Sequence, residues 1–270
     1  MINVSIVTYK TDRDEISNIL ENCSSSVINK IYIIDNSPND LLREFLKAKK
    51  IYNLEYIFNP ENPGYGASHN IAIRKSITNN INYHLVINSD LKFEKSILDN
   101  LENFMEKNKD IGLISPKIYN LDGTVQTSCR LLPSPLDIFL RIFPKYLRSR
   151  FEEKYLLKGL GNDRSFLCSC VSGCFMFLRT ETLKKVGLFD DRFFLYAEDV
   201  DLSRRIAEES KILFYPKFSI VHFYRGESKK NIKMFFIHCL SLCKYFYKWG
   251  WFVDLKRKQM NLETIGQIKK

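Results

Sequence analysis

The 270-residue sequence predicts an α/β fold, with a mostly parallel central sheet flanked by helices and a basic helical tail at its C-terminal end. Three observations carry that expectation. Through residue 107, short apolar runs alternate with stretches of helical spacing, the pattern of a parallel sheet covered on both faces. Apolar residues make up 45% of the chain and charged residues 27%, enough for a large core and too balanced for wholesale disorder. The net charge of +10 is unevenly placed. Of 41 basic and 31 acidic residues, ten basic ones lie in 229–270 against only Asp254 and Glu263. The body is therefore near neutral, while the tail suits an anionic membrane surface or nucleic acid.

Taken in order, Val4–Thr8 is the first strand and Asp12 opens a helix to about Cys23. Lys30–Ile34 is the second strand, ending in the turn-forming run Asp35-Asn36-Ser37-Pro38-Asn39-Asp40. Leu41–Lys49 has helical character, Leu54–Phe58 reads as a strand and Ala67–Ser76 again has helical spacing. His84–Ile87 is a fourth strand and Ile97–Lys107 a further helix. Ligands of such sheets bind beyond the carboxyl ends of the strands, here after Thr8, Ile34, Phe58 and Ile87.

The second half changes character. Strand-like runs on either side of Asn120-Leu121-Asp122-Gly123 predict a hairpin, and 136–157 is a basic amphipathic stretch interrupted by Pro144. Val171–Leu178 reads as one strand, Thr180 as the cap of a short helix and Val200–Glu209 as a helix. Phe214–Tyr215 and Ile220–Val221 read as two short strands, and Asn231–Trp249 as a helix with an apolar stripe, before Lys256-Arg257-Lys258. No apolar run approaches the ~18–20 residues of a membrane span. Met1–Val7 lacks the basic region and cleavage site of a signal peptide. Seven irregularly spaced cysteines favour reduced thiols in a cytosol, with Cys168, Cys170 and Cys174 as buried strand residues rather than a metal site.

Four segments carry candidate chemistry. Asn88-Ser89-Asp90 ends an apolar strand, where a carboxylate suits a hard divalent cation or simply closes a turn. Glu198, Asp199 and Asp201 follow bulky aromatics; one is a candidate general base, and all three also suit the positive end of a helix. Gly64 and Gly66 lead into a helix and would let backbone N–H groups approach a phosphate or nucleotide, without forming a dinucleotide or Walker motif. His222 follows a short strand as a metal-shell or structural imidazole, and Arg225 could meet phosphate oxygens.

Together these pieces resemble glycosyltransferase family 2. The resemblance lies in Val4–Tyr9, Ile34–Ser37, Asn62–Gly66 with Asn70, and Asn88–Asp90. The ordered runs Val171–Met176, Val186–Asp190 and Phe193–Leu202, with His222 after them, are similar to the rhamnosyltransferase-like branch. The resemblance covers about residues 2–228. It implies a GT-A fold, with a Rossmann-like sheet, for 1–228: a nucleotide-sugar half to about 115 and an acceptor half from about 116. A basic amphipathic helical tail follows over 229–270, where Lys248-Trp249-Gly250-Trp251 with Asp254 and Arg257 resembles the tail of some members.

The resemblance also implies an inverting, metal-dependent hexosyltransferase. Thr8, Tyr9, Asp35, Asn36, Gly64, Gly66, Asn70, Asn88 and Ser89, with Arg225, would surround the nucleotide-sugar. Asp90 and His222 would hold Mg²⁺ or Mn²⁺, and Asp199 would be the base, with Glu198 and Asp201 as competitors. Asn88 stands where the family's metal motif often has its first acid. The branch favours a dTDP-sugar, rhamnose above all, with UDP-sugars as the alternative. The basic tail and the stretch 136–157 fit docking at an anionic membrane surface, and with it a lipid-linked saccharide acceptor in surface polysaccharide synthesis; the alternative is that Phe235, Phe236, Leu240, Leu242, Tyr245 and Phe246 pack on the body. The expected location is cytoplasmic, peripheral on the cytoplasmic face of the inner membrane. No nucleic-acid-binding signature is present. The alternatives are a catalytically inactive scaffold of the same fold or a membrane-binding module.

Overall fold

The computed structural model describes residues 1–140, 153–157, 163–223 and 232–268. Its strands are β1 (Ile2–Thr8), β2 (Ile28–Asp35), β3 (Leu54–Phe58), β4 (Tyr83–Ile87), β5 (Leu91–Lys92) and β6 (Ile111–Asn120), then β7 (Val125–Gln126), β8 (Cys129–Arg130), β9 (Phe166–Leu167), β10 (Cys170–Val171), β11 (Phe175–Arg179) and β12 (Lys211–His222). The helices are α1 (Arg13–Asn22), α2 (Arg43–Ala48), α3 (Tyr65–Thr78), α4 (Ser96–Lys107) and α5 (Pro135–Phe139), then α6 (Thr180–Val186), α7 (Glu198–Glu209), α8 (Ile232–Trp249) and α9 (Leu255–Ile268).

The main sheet has the spatial order β3-β2-β1-β4-β11-β6-β12-β5. Strands β1 to β4 run parallel and β12 runs parallel to β6, whereas β11 is antiparallel to both its neighbours. Alternation along the strands feeds two cores. Phe175 and Phe177 of β11 pack with Ile16 and Ile19 of α1 and with Leu98 and Leu101 of α4. Met176 and Leu178 face the other way, toward Ile73 of α3, Leu183 of α6 and Leu202 and Ile206 of α7. Polar residues also enter the interior. Ser5 Oγ lies 2.6 Å from His69 Nδ1 and 2.8 Å from His84 Nε2, and Ser76 Oγ lies 2.7 Å from His84 Nδ1. Burial pushes the His84 imidazole down to about 3, so this cluster is a neutral one.

The structure departs from the sequence expectations where residues turn rather than run on. The expected strand 171–178 breaks into β10 and β11, because Ser172-Gly173-Cys174 crosses between two sheets. The two short strands near 214 and 220 are one strand, β12, with 216–218 bulged out of register against β6. Thr180 is not a cap: it is the first helical residue of α6, and its hydroxyl donates to the carbonyls of Ile81 and Asn82. The expected hairpin joins β6 to β7. Most of the amphipathic stretch 136–157 lies outside the described residues.

The tail and the body share a core. Leu242, Tyr245 and Phe246 of α8 are buried with Leu132, Cys170, Phe193, Ala197 and Val200. Arg204 of α7 makes a two-pronged ion pair with Asp254, at 2.6 and 2.9 Å, with both side chains buried. Asn261 of α9 exchanges two hydrogen bonds with the backbone of Leu132. Among the described residues, no helix is long and apolar enough to cross a membrane.

Candidate active site

The carboxyl ends of β4 and β12 meet at one place. Antiparallel pairing of β5 with β12 sets His222 opposite Leu91, and Phe223 N donates to the Asp90 carbonyl at 2.8 Å. Asp90 Oδ1 consequently lies 3.2 Å from His222 Nε2, buried and without an aligned hydrogen bond of its own. His222 Nδ1 is 2.9 Å from Gln126 Oε1. Burial pulls this imidazole down, but Asp90 and Cys174 outweigh it and push His222 up to about 10.

The donor set of this pair suits a divalent cation. One hard carboxylate oxygen and one imidazole nitrogen converge, and the rest of a shell would come from ligand oxygens and water. Among the described residues no group of three His, Cys, Asp or Glu side chains forms a complete metal cage.

The acidic run occupies the start of α7, reached through a strained turn. Tyr196 and Ala197 have φ of 69° and 65°, a left-handed conformation that side chains seldom adopt. The turn is held from the tail: Ser241 Oγ donates to Leu195 O at 2.7 Å, and the Tyr196 and His238 rings are 4.8 Å apart. It is held from α3 as well, where Tyr65 N donates to Phe194 O at 2.8 Å.

The three acids then part company. Arg130 Nη2 donates to Asp199 Oδ2 at 2.7 Å, and Gly173 N donates to the same oxygen at 3.1 Å. Asp201 is fully buried and taken up by Trp249 Nε1, Lys248 and Arg205, so it serves the tail junction. Glu198 Oε2 is buried with no hydrogen-bond partner among the described residues. Burial, reinforced by the Asp199 charge, pushes Glu198 up to about 8.

Tyr65 connects the two halves. Its hydroxyl lies 2.8 Å from Asn88 Oδ1 and 3.0 Å from Gly173 O, within donating distance of both. Burial raises this phenol well above its ordinary value, and the nearby thiol and carboxyl groups of Cys174, Glu198, Asp199 and Asp90 raise it further.

The other expected residues are placed less uniformly. Thr8 is buried at the end of β1 and Tyr9 is exposed beside it. Asp35 accepts from Ser37 N and the Tyr56 hydroxyl, while Asn36 is bound to Ser68 and Asn59. Ser89 donates to Glu15. Gly64 and Gly66 serve packing. A Cβ on Gly64 would sit 2.2 Å from Phe194 O, and one on Gly66 2.8 Å from Phe189 Cβ. Asn70 is spent on the same segment, donating to Phe189 O and Asp191 and accepting from Phe189 N. Arg225 lies outside the described residues.

Sequence reasoning missed Arg130, Gln126 and the bridging role of Tyr65. Tyr65 was within reach, since an aromatic between two tightly packed glycines at a helix start has few places to go. Arg130 and Gln126 owe their positions to β8–β10 and β6–β7 pairing, which no local pattern announces.

Comparison with known proteins gives the family and the fold. The model of the family described as "Glycosyl transferase family 2" matches residues 4–187. The low-salt glycan biosynthesis hexosyltransferase Agl10 of Haloferax volcanii is 25% identical over 210 residues, which are 77% of this chain and 62% of that protein. The N-acetylglucosaminyl-diphospho-decaprenol L-rhamnosyltransferase of Mycobacterium tuberculosis is 27% identical over 141 residues, 51% of this chain and 46% of that one. The chain thus matches about half to three-fifths of the length of these relatives.

Among solved structures, GalNAc-T7 with UDP, GalNAc and Mn²⁺ superposes with a TM-score of 0.60 at 15% identity, covering 83% of this chain and 43% of its own. Residues 1–349 of S. aureus TarS with UDP-GlcNAc superpose with a TM-score of 0.59 at 14% identity, covering 98% and 72%. At such identities the likeness speaks for the GT-A fold alone. The family model spans more than half of the chain, and the chain belongs to glycosyltransferase family 2.

Proposed function

We propose that the protein is an inverting glycosyltransferase that moves a sugar, with rhamnose favoured, from a nucleoside diphosphate to a lipid-linked saccharide. Its place would be the cytoplasmic face of a membrane, in surface polysaccharide synthesis. One observation carries the reading: hydrogen bonds of Tyr65 to Asn88, two residues before Asp90, and to Gly173 O, with Gly173 N bonded to Asp199, tie the segment before the Asp90–His222 pair to the acidic start of α7. A leaving-group side and a base side are thereby held in fixed relation.

The chemistry follows from what each side needs. An acceptor hydroxyl gives up its proton to Asp199 as its oxygen bonds to the anomeric carbon, while the bond from that carbon to the diphosphate breaks. Attack opposite the leaving group inverts the centre. Arg130 pairs with Asp199, and the neighbouring Glu198 carboxyl is pushed up to about 8 by burial and the Asp199 charge. Asp90 and His222 would hold Mg²⁺ or Mn²⁺, which when bound supplies positive charge against the departing diphosphate. A dTDP-sugar is the favoured donor and a UDP-sugar the alternative. The printed name of the mycobacterial relative supports a lipid-linked acceptor.

A second reading, an inactive scaffold of the same fold, draws on the Arg130–Asp199 ion pair, which occupies the base in the structure described. Turnover by the native chain separates the two, and Asp199→Asn tests the base. The transferase reading expects turnover to fall on the order of 10²–10⁴-fold with donor affinity retained. Unchanged turnover removes Asp199 from the role of base.

A further inference from the structure

Helix α8 is apolar on two sides. Its inner side, Leu242, Tyr245 and Phe246, is buried against the body. Its outer side carries Ile232, Phe236, Leu240 and Tyr247, at spacings that keep them on one stripe, and all four are exposed, Tyr247 by 86%. The stripe runs about 22 Å along the helix at 1.5 Å per residue. Beyond its end the chain turns at Gly250, whose φ is +100°, and presents Phe252 and Val253 at 86% and 83% exposure, followed by Leu255. Such a concentration of large apolar side chains exceeds what scattered surface residues explain.

The charge around this face selects its partner. Lys233, Lys244, Lys256 and Lys258 are exposed on the same two helices. Of the acids nearby, Asp254 is buried against Arg204, Glu263 is exposed, and Glu208 pairs with Lys256 at 3.0 Å, which leaves Lys258 and the α8 lysines to carry most of the anionic preference. A second copy of the chain would set lysines against lysines, whereas an anionic bilayer satisfies both the apolar stripe and the cations around it. We infer that the outer face of α8 and the 250–255 turn form a docking surface for an anionic lipid bilayer. Phe252 and Val253 enter the acyl boundary, and the lysines meet headgroup phosphates. The inner face stays packed on the strained turn before Asp199, so docking needs no unfolding of the tail. The inference takes from the transferase reading only its purpose, access to a lipid-anchored acceptor.

The test is flotation of the full chain with vesicles of phosphatidylcholine and phosphatidylglycerol in equal parts, against phosphatidylcholine alone, without donor or acceptor. Binding to the anionic vesicles is expected, weakening with salt and falling about tenfold or more in Phe252→Asp/Val253→Asp. Lys233→Gln/Lys244→Gln/Lys258→Gln should lose the anionic preference while keeping its melting temperature. Failure to float with anionic vesicles at low salt, or equal flotation of the Asp variant, overturns the inference. So does a lipid-free dimer in sedimentation that the Asp variant dissolves, which would give the face to a second copy. Nucleotide binding measured on the same preparations keeps the two questions apart, because a chain that binds nucleotide but no vesicle defeats only the docking surface.

Discussion

Glu198 and Asp199 are adjacent in the chain, but their surroundings differ. Asp199 has Arg130 and a backbone N–H, while Glu198 Oε2 is buried without a partner and faces the Asp199 charge. A carboxyl group raised to about 8 in the folded state and near 4.5 when unfolded keeps its proton longer in the native protein. The folded state therefore loses stability as pH rises from about 4.5 to about 8. The groups facing Glu198 are Asp199, which adds to the effect, and Arg130, which opposes it. Glu198→Gln should flatten the decline, so that its melting temperature gains on the native chain as pH increases from 5 to about 8.5. Parallel melting curves for the two proteins across that range would exclude a buried neutral Glu198. At this scale the sequence singled out Asp90, Asp199 and His222 as candidates, because acids and an imidazole at strand ends and at a helix start are visible in one dimension. It did not show that Asp201 turns inward to Lys248 and Trp249, since those partners lie more than forty residues away.

The amino end of α3 and the turn before α7 are built as one unit. Gly64 has φ +107° and touches the Phe194 backbone so closely that no side chain fits, and the next N–H donates to Phe194 O. Gly64→Ala should cost about 3 kcal/mol or more in stability, with strain and overlap acting together. Chemical denaturation would measure it, and a loss within error of zero would show that the contact yields easily. The glycines were readable as special positions, and in this structure both pack closely against the segment 189–194. A helix start beside a glycine looks the same in sequence whether a ligand or another loop fills the space. Strand boundaries had a similar limit. Val171–Leu178 is continuous in apolar character, and only the crossing at Gly173 divides it.

For the whole molecule, the parallel sheet and its helical cover followed from alternation of short apolar runs with helical spacing, and the structure has that order through Lys107. The position of the tail did not follow. Its charge and stripe left lipid docking and packing on the body both open, and one face of α8 completes a core with Phe193, Ala197 and Val200, directly behind the acidic turn. A chain ending at residue 228 should therefore lack a cooperative melt; a transition within a few degrees of the full chain would make the tail dispensable to the fold.

The central claim is that this fold binds a nucleoside diphosphate at the Asp90–His222 end of the sheet, and calorimetric titration of the full chain tests it most directly. With dTDP, UDP and GDP, each in Mn²⁺, Mg²⁺ and EDTA, one nucleotide should bind in the presence of metal. That binding should weaken about tenfold or more in EDTA and in Asp90→Asn. Absence of binding by all three nucleotides would contradict the account.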